Sequence, residues 1–360
     1  MRGLVFSSFT NAYALFRSAS RLGVDLFTTD ENPTFPLSVD TAEGSADWLF
    51  FTEEASLRRA LAGELQGNFL PANFPVELLD DKWAFVEWLR SNPVLTGGLQ
   101  QWPVSSIEQV RYPCLLKAKH SWVGSAKLPR GWVCRSPAEA KARLGDLETG
   151  NLSYEFFFFQ EWLGDGDCRV ISVCGFHDSE HHSRNLTAVV ERVASHTEGL
   201  SCSAAVQTIE DDWRLLSRTA AILDALEFTG PYEMEYLVSG TRVAVLELNP
   251  RFWMQHSIFL ADGNGLVKRY LGIEDEVDRE RKTIEPMIWI DGLHLIQMLT
   301  KLRLRFPLMV FGRLFLAERR VVIWPSVPVA IRVWLRTVRN RLMKHFRHLA
   351  ADTPSQRLRA

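Results

Sequence analysis

Apolar and polar positions alternate most regularly between Gly230 and Ser257, where the chain reads G-P-Y-E-M-E-Y-L-V-S-G-T-R-V-A-V-L-E-L-N-P-R-F-W-M-Q-H-S. Two apolar, β-rich runs flank Ser239-Gly240, which predicts a hairpin closed by a short turn. A period of two puts Glu233 and Glu235 on one face of the first run, and Glu247 and Asn249 on one face of the second. Paired runs can bring Glu235, Glu247 and Asn249 together. Three hard oxygen donors on one sheet face suit Mg²⁺ (or Mn²⁺) shared with phosphate oxygens. Arg251, just after Pro250, adds a permanent cation. For a lone Glu pair, solvated acids on an outer face would be the favoured reading. The Asn-Pro-Arg after a buried-looking strand favours a functional site, because loops on rigid elements tend to carry function.

The N-terminus carries a different pattern. Gly3 to Phe6 reads as a strand, Thr10 or Asn11 as the cap of a helix to Leu22, and Val24 to Phe27 as a second strand, the opening β-α-β of a parallel sheet. Asn68 to Pro71 reads as a later strand of that sheet. The first turn lacks the glycines of a dinucleotide site, although Asp30 could serve as its acid. Residues 78–90 predict an amphipathic helix that starts near Asp80 or Asp81. Ser136 caps a helix to Leu144 with Pro137 at its first position. Tyr154 to Gln160 and Arg169 to Val173 are strands, Ala188 to Ala194 is a returning strand, and Thr208 to Leu226 is a helix. His177, His181 and His182 with Asp178 and Glu180 could bind zinc, but they lie in what reads as a solvated hairpin tip. Ile284 to Arg320 looks helical, Pro325 and Pro328 break any helix between 321 and 331, and Ile331 to Leu349 reads as a basic amphipathic helix.

The 360 residues allow two or three domains with a sizeable core, and 46 % apolar with 23 % charged content is ordinary for a soluble protein. Five scattered cysteines without a CxxC pair, and no visible signal peptide, fit reduced thiols in the cytoplasm. The net charge of −2 conceals an asymmetry. From Lys301 onward, 14 Lys and Arg face only Glu318 and Asp352, leaving an acidic body and a basic end. Such an end can meet anionic lipid at the inner membrane face or pack on the acidic body. Nucleic acid ranks last as a partner, since no recognisable nucleic-acid module accompanies the charge.

Five motifs in order resemble those of the ATP-grasp ligases over roughly residues 1–270. They are D-K-x-x-F (Asp81 to Phe85), Y-P-x-x-x-K (Tyr112 to Lys117), Q-E-W-L with a later acid (Gln160 to Leu163, then Asp167), the strand acid Glu235, and E-L-N-P-R (Glu247 to Arg251). The resemblance implies a mixed α/β and α+β chain. A half-Rossmann-like pre-nucleotide domain (1–92) precedes two ATP-grasp lobes (93–272) and a basic, mainly helical extension (273–360). It implies that Lys82 and Lys117 hold ATP phosphates and that His120 to Lys127 cover them. Gln160, Glu161 and Leu163 would line the adenine, and Asp167 would hold the ribose. Glu235, Glu247 and Asn249 would bind Mg²⁺, while Arg251 and Arg192 face the transferring phosphoryl group.

The implied reaction activates a carboxylate as an acylphosphate, releasing ADP, and a small-molecule amine then attacks it and expels phosphate. A bicarbonate-activating enzyme of the biotin-carboxylase or carbamoyl-phosphate kind is the alternative. Its glutamate base, however, matches Gln255 here, and an amide cannot take up a proton at neutral pH. A nucleotide-binding scaffold without ligase activity is the alternative of another class.

Overall fold

The computed structural model describes residues 1–6, 10–28, 46–92, 95, 98–123, 126–163, 168–195, 203–260, 263–280, 282–291 and 320–323. The chain opens with β1 (Arg2–Phe6), α1 (Thr10–Ser20), β2 (Asp25–Thr28), β3 (Trp48–Phe51) and α2 (Glu54–Leu61). The three strands form a parallel sheet in the order β2-β1-β3. β3 is a short apolar run, W-L-F-F, whose last three residues are buried, as expected for a parallel strand covered on both faces. Because β2 and β3 lie on opposite sides of β1, the sheet has a topological switch at the carboxyl ends of β1 and β3, where open α/β sheets place ligands. Asn68 makes only an isolated bridge to Trp48, so the strand expected at 68–71 is an edge contact.

Next comes α3 (Lys82–Ser91), whose cap Asp81 accepts a hydrogen bond from Ala84 N at 2.9 Å. It leads into a small antiparallel sheet of order β4-β9-β5-β8. Its strands are β4 (Gln101–Pro103), β5 (Cys114–Ala118), β8 (Gly131–Cys134) and β9 (Phe157–Glu161), with a two-strand ribbon of β6 (Trp122–Val123) and β7 (Ala126–Lys127) set between β5 and β8. One face packs Leu116, Phe157 and Phe159 on α4 (Pro137–Thr149), where Ser136 is the cap and Pro137 opens the helix. Tyr154–Phe156 forms a 3-10 turn, so the strand begins later than its apolar run suggests.

The main sheet has seven strands in the order β14-β13-β10-β11-β12-β15-β16. They are β10 (Arg169–Asp178), β11 (Leu186–Ser195), β12 (Ser203–Thr208), β13 (Thr229–Ser239), β14 (Arg242–Asn249), β15 (Ile288–Asp291) and β16 (Arg320–Ile323). Helix α5 (Leu215–Ala225) covers one face over Ile171, Val173 and Tyr236; α6 (Gly265–Leu271) and the N-terminal sheet cover the other over Cys174, Phe176 and Ala188. Thr208, expected at the start of a helix, ends β12 instead. Residues 288–291 and 320–323, expected within a helical extension, are strands of this sheet. A buried I-W-I-D run, with Trp289 donating from Nε1 to Ser257 Oγ at 2.6 Å, is stabilised by pairing with β12 and overrides the helical reading. The helix expected at 331–349 lies outside the described residues. Among the described residues, no helix is long and apolar enough to cross a membrane.

Candidate nucleotide and metal site

The hairpin β13–β14 builds the acidic wall. Glu233 pairs directly with Asn249 and Glu235 with Glu247, so four oxygen-bearing side chains share one face. A register shift comes after Glu235, where the next pair is Tyr236 with Val245. Counted without that shift from the Ser239–Arg242 pair, Glu235 would oppose Leu246 and Glu247 would point to the other face. The bulge therefore re-aims Glu247 into the cluster. Glu233 belongs to the same set, although only its position two residues before Glu235 signalled it in the sequence. It accepts from Ser172 Oγ at 3.2 Å and from Asn249 Nδ2 at 3.1 Å. Burial, then the charge of Glu235, pushes the Glu233 carboxyl up to about 8.

Cations ring these acids. Arg192 on β11 donates from Nη2 to Glu235 Oε1 at 2.7 Å. Lys82, at the first position of α3, has its Nζ 3.2 Å from Asp80 Oδ1 and 3.8 Å from Glu247 Oε2. Burial opposes its charge, but Glu247, Asp80 and Glu54 outweigh burial and raise its pKa. Asp80, in a left-handed backbone conformation, also accepts from Ser121 N and Oγ, both at 2.8 Å, which ties the start of α3 to the end of β5. Lys117 on β5 is brought down to about 8 by burial, against the pull of Glu247, and its Nζ donates to Gln160 Oε1 at 3.5 Å. Glu247 is lowered: burial would raise it, but Lys82 and then Lys117 prevail.

Arg251 lies against the N-terminal sheet. Its Nε donates to Glu54 Oε1 at 2.7 Å and its Nη1 to the Phe252 carbonyl at 3.0 Å. Phe252 N in turn donates to Phe51 O at 3.0 Å, fixing this loop at the carboxyl end of β3. The sequence reading missed Glu54, which opens α2, because nothing local separates it from an ordinary first-turn acid.

The other expected nucleotide residues divide. Gln160 is buried on β9 beside Lys117, while the Glu161 carboxylate is engaged by Arg242 Nη1 at 2.8 Å and Nη2 at 3.0 Å, which lowers its pKa. The Glu161 main-chain N–H is engaged as well, donating to the Gln100 carbonyl at 2.8 Å. Leu163 is half-buried, and Asp167 lies outside the described residues. Gln255 is buried, and its Oε1 has no hydrogen-bond partner.

The histidine segment has its solvated tip at Glu180 to Ser183, which are exposed, but its first histidine is not part of that tip. His177 is buried at the end of β10, and its Nε2 lies 2.9 Å from Asp224 Oδ1. His182 completes a group of ligand-type atoms within 4.8 Å of one another. Asn185 decides its chemistry. Its Oδ1 accepts from Asp178 N at 2.7 Å, so its amide nitrogen faces His177 Nδ1 at 3.3 Å and must donate to it. His177 then carries its proton on Nε2 and gives it to Asp224. Both ring nitrogens of His177 are thus engaged, Nδ1 accepting from Asn185 and Nε2 donating to Asp224, and neither offers a lone pair to a metal ion.

No protein-family model and no curated protein matches the sequence. Solved structures do. An N5-carboxyaminoimidazole synthase from Aspergillus clavatus, in complex with ADP and 5-aminoimidazole ribonucleotide, aligns at 13% identity over 80% of this chain and 80% of its own, with a TM-score of 0.57. The biotin carboxylase domain of a Hydrogenobacter thermophilus 2-oxoglutarate carboxylase, holding MgADP and bicarbonate, aligns at 14% identity over 76% of this chain and 69% of its own, with a TM-score of 0.56. A RimK-domain ATP-grasp protein from Sphaerobacter thermophilus aligns at 14% identity over 76% of this chain and 99% of its own, with a TM-score of 0.53. The chain has the ATP-grasp fold.

Proposed function

We propose that this chain is an ATP- and Mg²⁺-dependent ligase that phosphorylates a carboxylate, releasing ADP, and joins the resulting acylphosphate to an amine, releasing inorganic phosphate. The observation that carries this reading is the convergence of Glu233, Glu235, Glu247 and Asn249 with Lys82, Lys117, Arg192 and Arg251. The donor set consists of hard oxygens, and burial, then repulsion from Glu235, raises Glu233. A divalent cation relieves that repulsion, so the residues fit Mg²⁺. Glu235, Glu247 and Asn249 would hold it, with Glu233 behind Asn249. When bound, the ion would neutralise charge developing on the transferred phosphoryl group.

The chain's own residues supply the rest. Lys82 and Lys117 orient the phosphates as point charges on flexible stems. Arg251 stands between this cluster and the switch point of the N-terminal sheet, so the acceptor would enter there and meet the phosphoryl group at Arg251. Glu54 holds that guanidinium in place. An amine arriving as an ammonium must lose its proton before attack, and the acidic wall beside it favours cationic nucleophiles.

The bicarbonate-activating alternative is supported by the synthase and carboxylase neighbours, which share the fold at low identity. Gln255 weighs against it for this chain. The test is ADP formation from Mg²⁺-ATP with a library of metabolite carboxylates and amines, with bicarbonate as a separate arm. ADP release that needs both an acid and an amine supports ligation; release with bicarbonate alone replaces it with the alternative; no ADP under any condition favours a scaffold. Cytoplasmic location with contact to anionic membrane through the basic C-terminal end belongs to the same proposal. Sedimentation with anionic liposomes, comparing the full chain with one ending near residue 323, tests it.

A further inference from the structure

We propose that Cys114 and Cys134 are a modification site, where a peroxide joins them in a reversible disulfide that staples the edge of the small sheet at the base of the β6–β7 ribbon.

β8 is the edge strand of the β4-β9-β5-β8 sheet and pairs with β5 alone among the described residues. The antiparallel register sets Cys114 directly opposite Cys134, on the outermost rung of that ladder. Opposite residues of such a ladder have Cα atoms about 4.5–5.5 Å apart, whichever type of pair they form, and a disulfide spans about 4.4–6.8 Å. Both side chains leave the sheet on one face, into the apolar cluster with Leu116, Ala140 and Phe159, and both are free thiols. The two sulfurs are close enough for Cys114 to hydrogen-bond to Cys134. The strands are therefore already spaced for the bond.

The thiols are buried, but the rung that carries them is the last of its ladder. Pro113 precedes Cys114, Arg135 follows Cys134, and both flanking residues are exposed. The end rung of an edge strand opens locally at low cost, and a peroxide is a small oxidant that such an opening admits. Cys134 is the attacking group. The hydrogen bond from Cys114 holds the Cys134 thiol below its ordinary value and Cys114 above it. The Cys134 thiolate attacks one peroxide oxygen, the O–O bond breaks, and the departing hydroxide takes up a proton to become water. Cys114 then loses its proton and attacks the sulfur of the resulting sulfenic acid. The S–S bond forms, the S–O bond breaks, and the second hydroxide leaves as water. Two thiols lose two electrons in total, and one peroxide is reduced to two waters. An external thiol reverses the bond by exchange.

The loop closed by this bond runs from 114 to 134 and contains Lys117 and both strands of the β6–β7 ribbon. Cys114 and Lys117 lie on opposite faces of β5, so the staple ties the base of the loop without displacing the lysine. Closing a loop restricts the unfolded chain more than the folded one, so the oxidised sheet resists unravelling.

The test is treatment of the folded full chain with a small excess of hydrogen peroxide, alkylation of the remaining thiols, and peptide mass spectrometry. Cys114 and Cys134 should be recovered as one linked peptide pair, about 2 Da lighter than the two reduced peptides, and dithiothreitol should restore both thiols. The melting temperature should rise by at least about 3 °C on linkage and return on reduction. Cys134→Ser should show neither the link nor the shift. Full alkylation of both cysteines after peroxide, or links to Cys168, Cys174 or Cys202 in equal yield, overturns the site. A link that leaves the melting temperature unchanged overturns the staple. The wild-type measurements decide even if the variant does not fold, and they read the same whether or not the cleft binds nucleotide.

Discussion

Replacing Glu233 with Gln should stabilise the ligand-free protein in alkali and leave it unchanged in acid. Burial and the Glu235 charge push this carboxyl from an ordinary 4.5 up to about 8, against the pull of Arg192 and Arg251. For an acid whose pKa is raised by folding, its contribution to stability is fully present below about 4.5. It is lost as the pH climbs to about 8, because the unfolded chain ionises first. At about 1.4 kcal/mol per pH unit, that gap caps the loss at about 5 kcal/mol. Relaxation and water around a buried carboxylate bring it to about 1–3 kcal/mol. The amide of Gln can keep both contacts, turning its NH₂ to Ser172 Oγ and its carbonyl to Asn249 Nδ2. Thermal unfolding, tracked by tryptophan fluorescence in EDTA, should give superimposed curves at pH 5. At pH 8.5 the variant should melt about 2–6 °C higher. A shift of the same size and sign at both pH values would refute the assignment of a buried, mostly protonated acid.

Lys117→Ala should weaken ATP at pH 7 by at least about tenfold, the scale of a lost charged contact, whereas Lys119→Ala, whose ammonium lies over Trp83, should change it less than about threefold. Because burial holds Lys117 near 8, wild-type affinity for ATP should fall as the pH rises above 8, and that fall should vanish in Lys117→Ala; a pH-independent wild type contradicts the assignment. Glu54→Gln should lower the rate of ADP formation about tenfold or more while nucleotide affinity stays within about threefold, since Glu54 touches Arg251 and acts on the transferring end; equal losses in both would make its role structural. Gly175→Ala should cost more than about 3 kcal/mol or prevent folding, because φ is +157° and a Cβ would lie 1.8 Å from the Leu186 carbonyl oxygen; soluble expression with an unchanged melting temperature would show that β10 is placed wrongly.

The acidic hairpin was legible because its carboxylates lie on two adjacent strands whose period of two is visible locally. Its register was not legible. The bulge after Glu235 lies on β14, where Leu246 has no opposite residue, and cannot be counted from the turn, yet it decides which face Glu247 occupies. Lys82 and Lys117 were legible only through the resemblance of D-K-x-x-F and Y-P-x-x-x-K to ATP-grasp motifs. Glu54 was not, since it joins the cluster only through its long-range contact to Arg251. The error at 288–291 has the same origin. A four-residue apolar run carries no helical or strand period of its own, and its pairing with β12 is what makes it a strand.

The most direct test of the central claim is calorimetric binding of a non-hydrolysable ATP analogue with and without Mg²⁺, paired with ATP turnover, in wild type and Glu247→Gln. This substitution keeps shape while removing the charge that Lys82 and Lys117 share. Wild type should bind the analogue in a Mg²⁺-dependent way, and turnover in folded Glu247→Gln should fall at least about a hundredfold, as when a charge-stabilising group is lost. Mg²⁺-independent binding together with normal turnover in the variant would contradict a metal-assisted phosphoryl-transfer site on this hairpin.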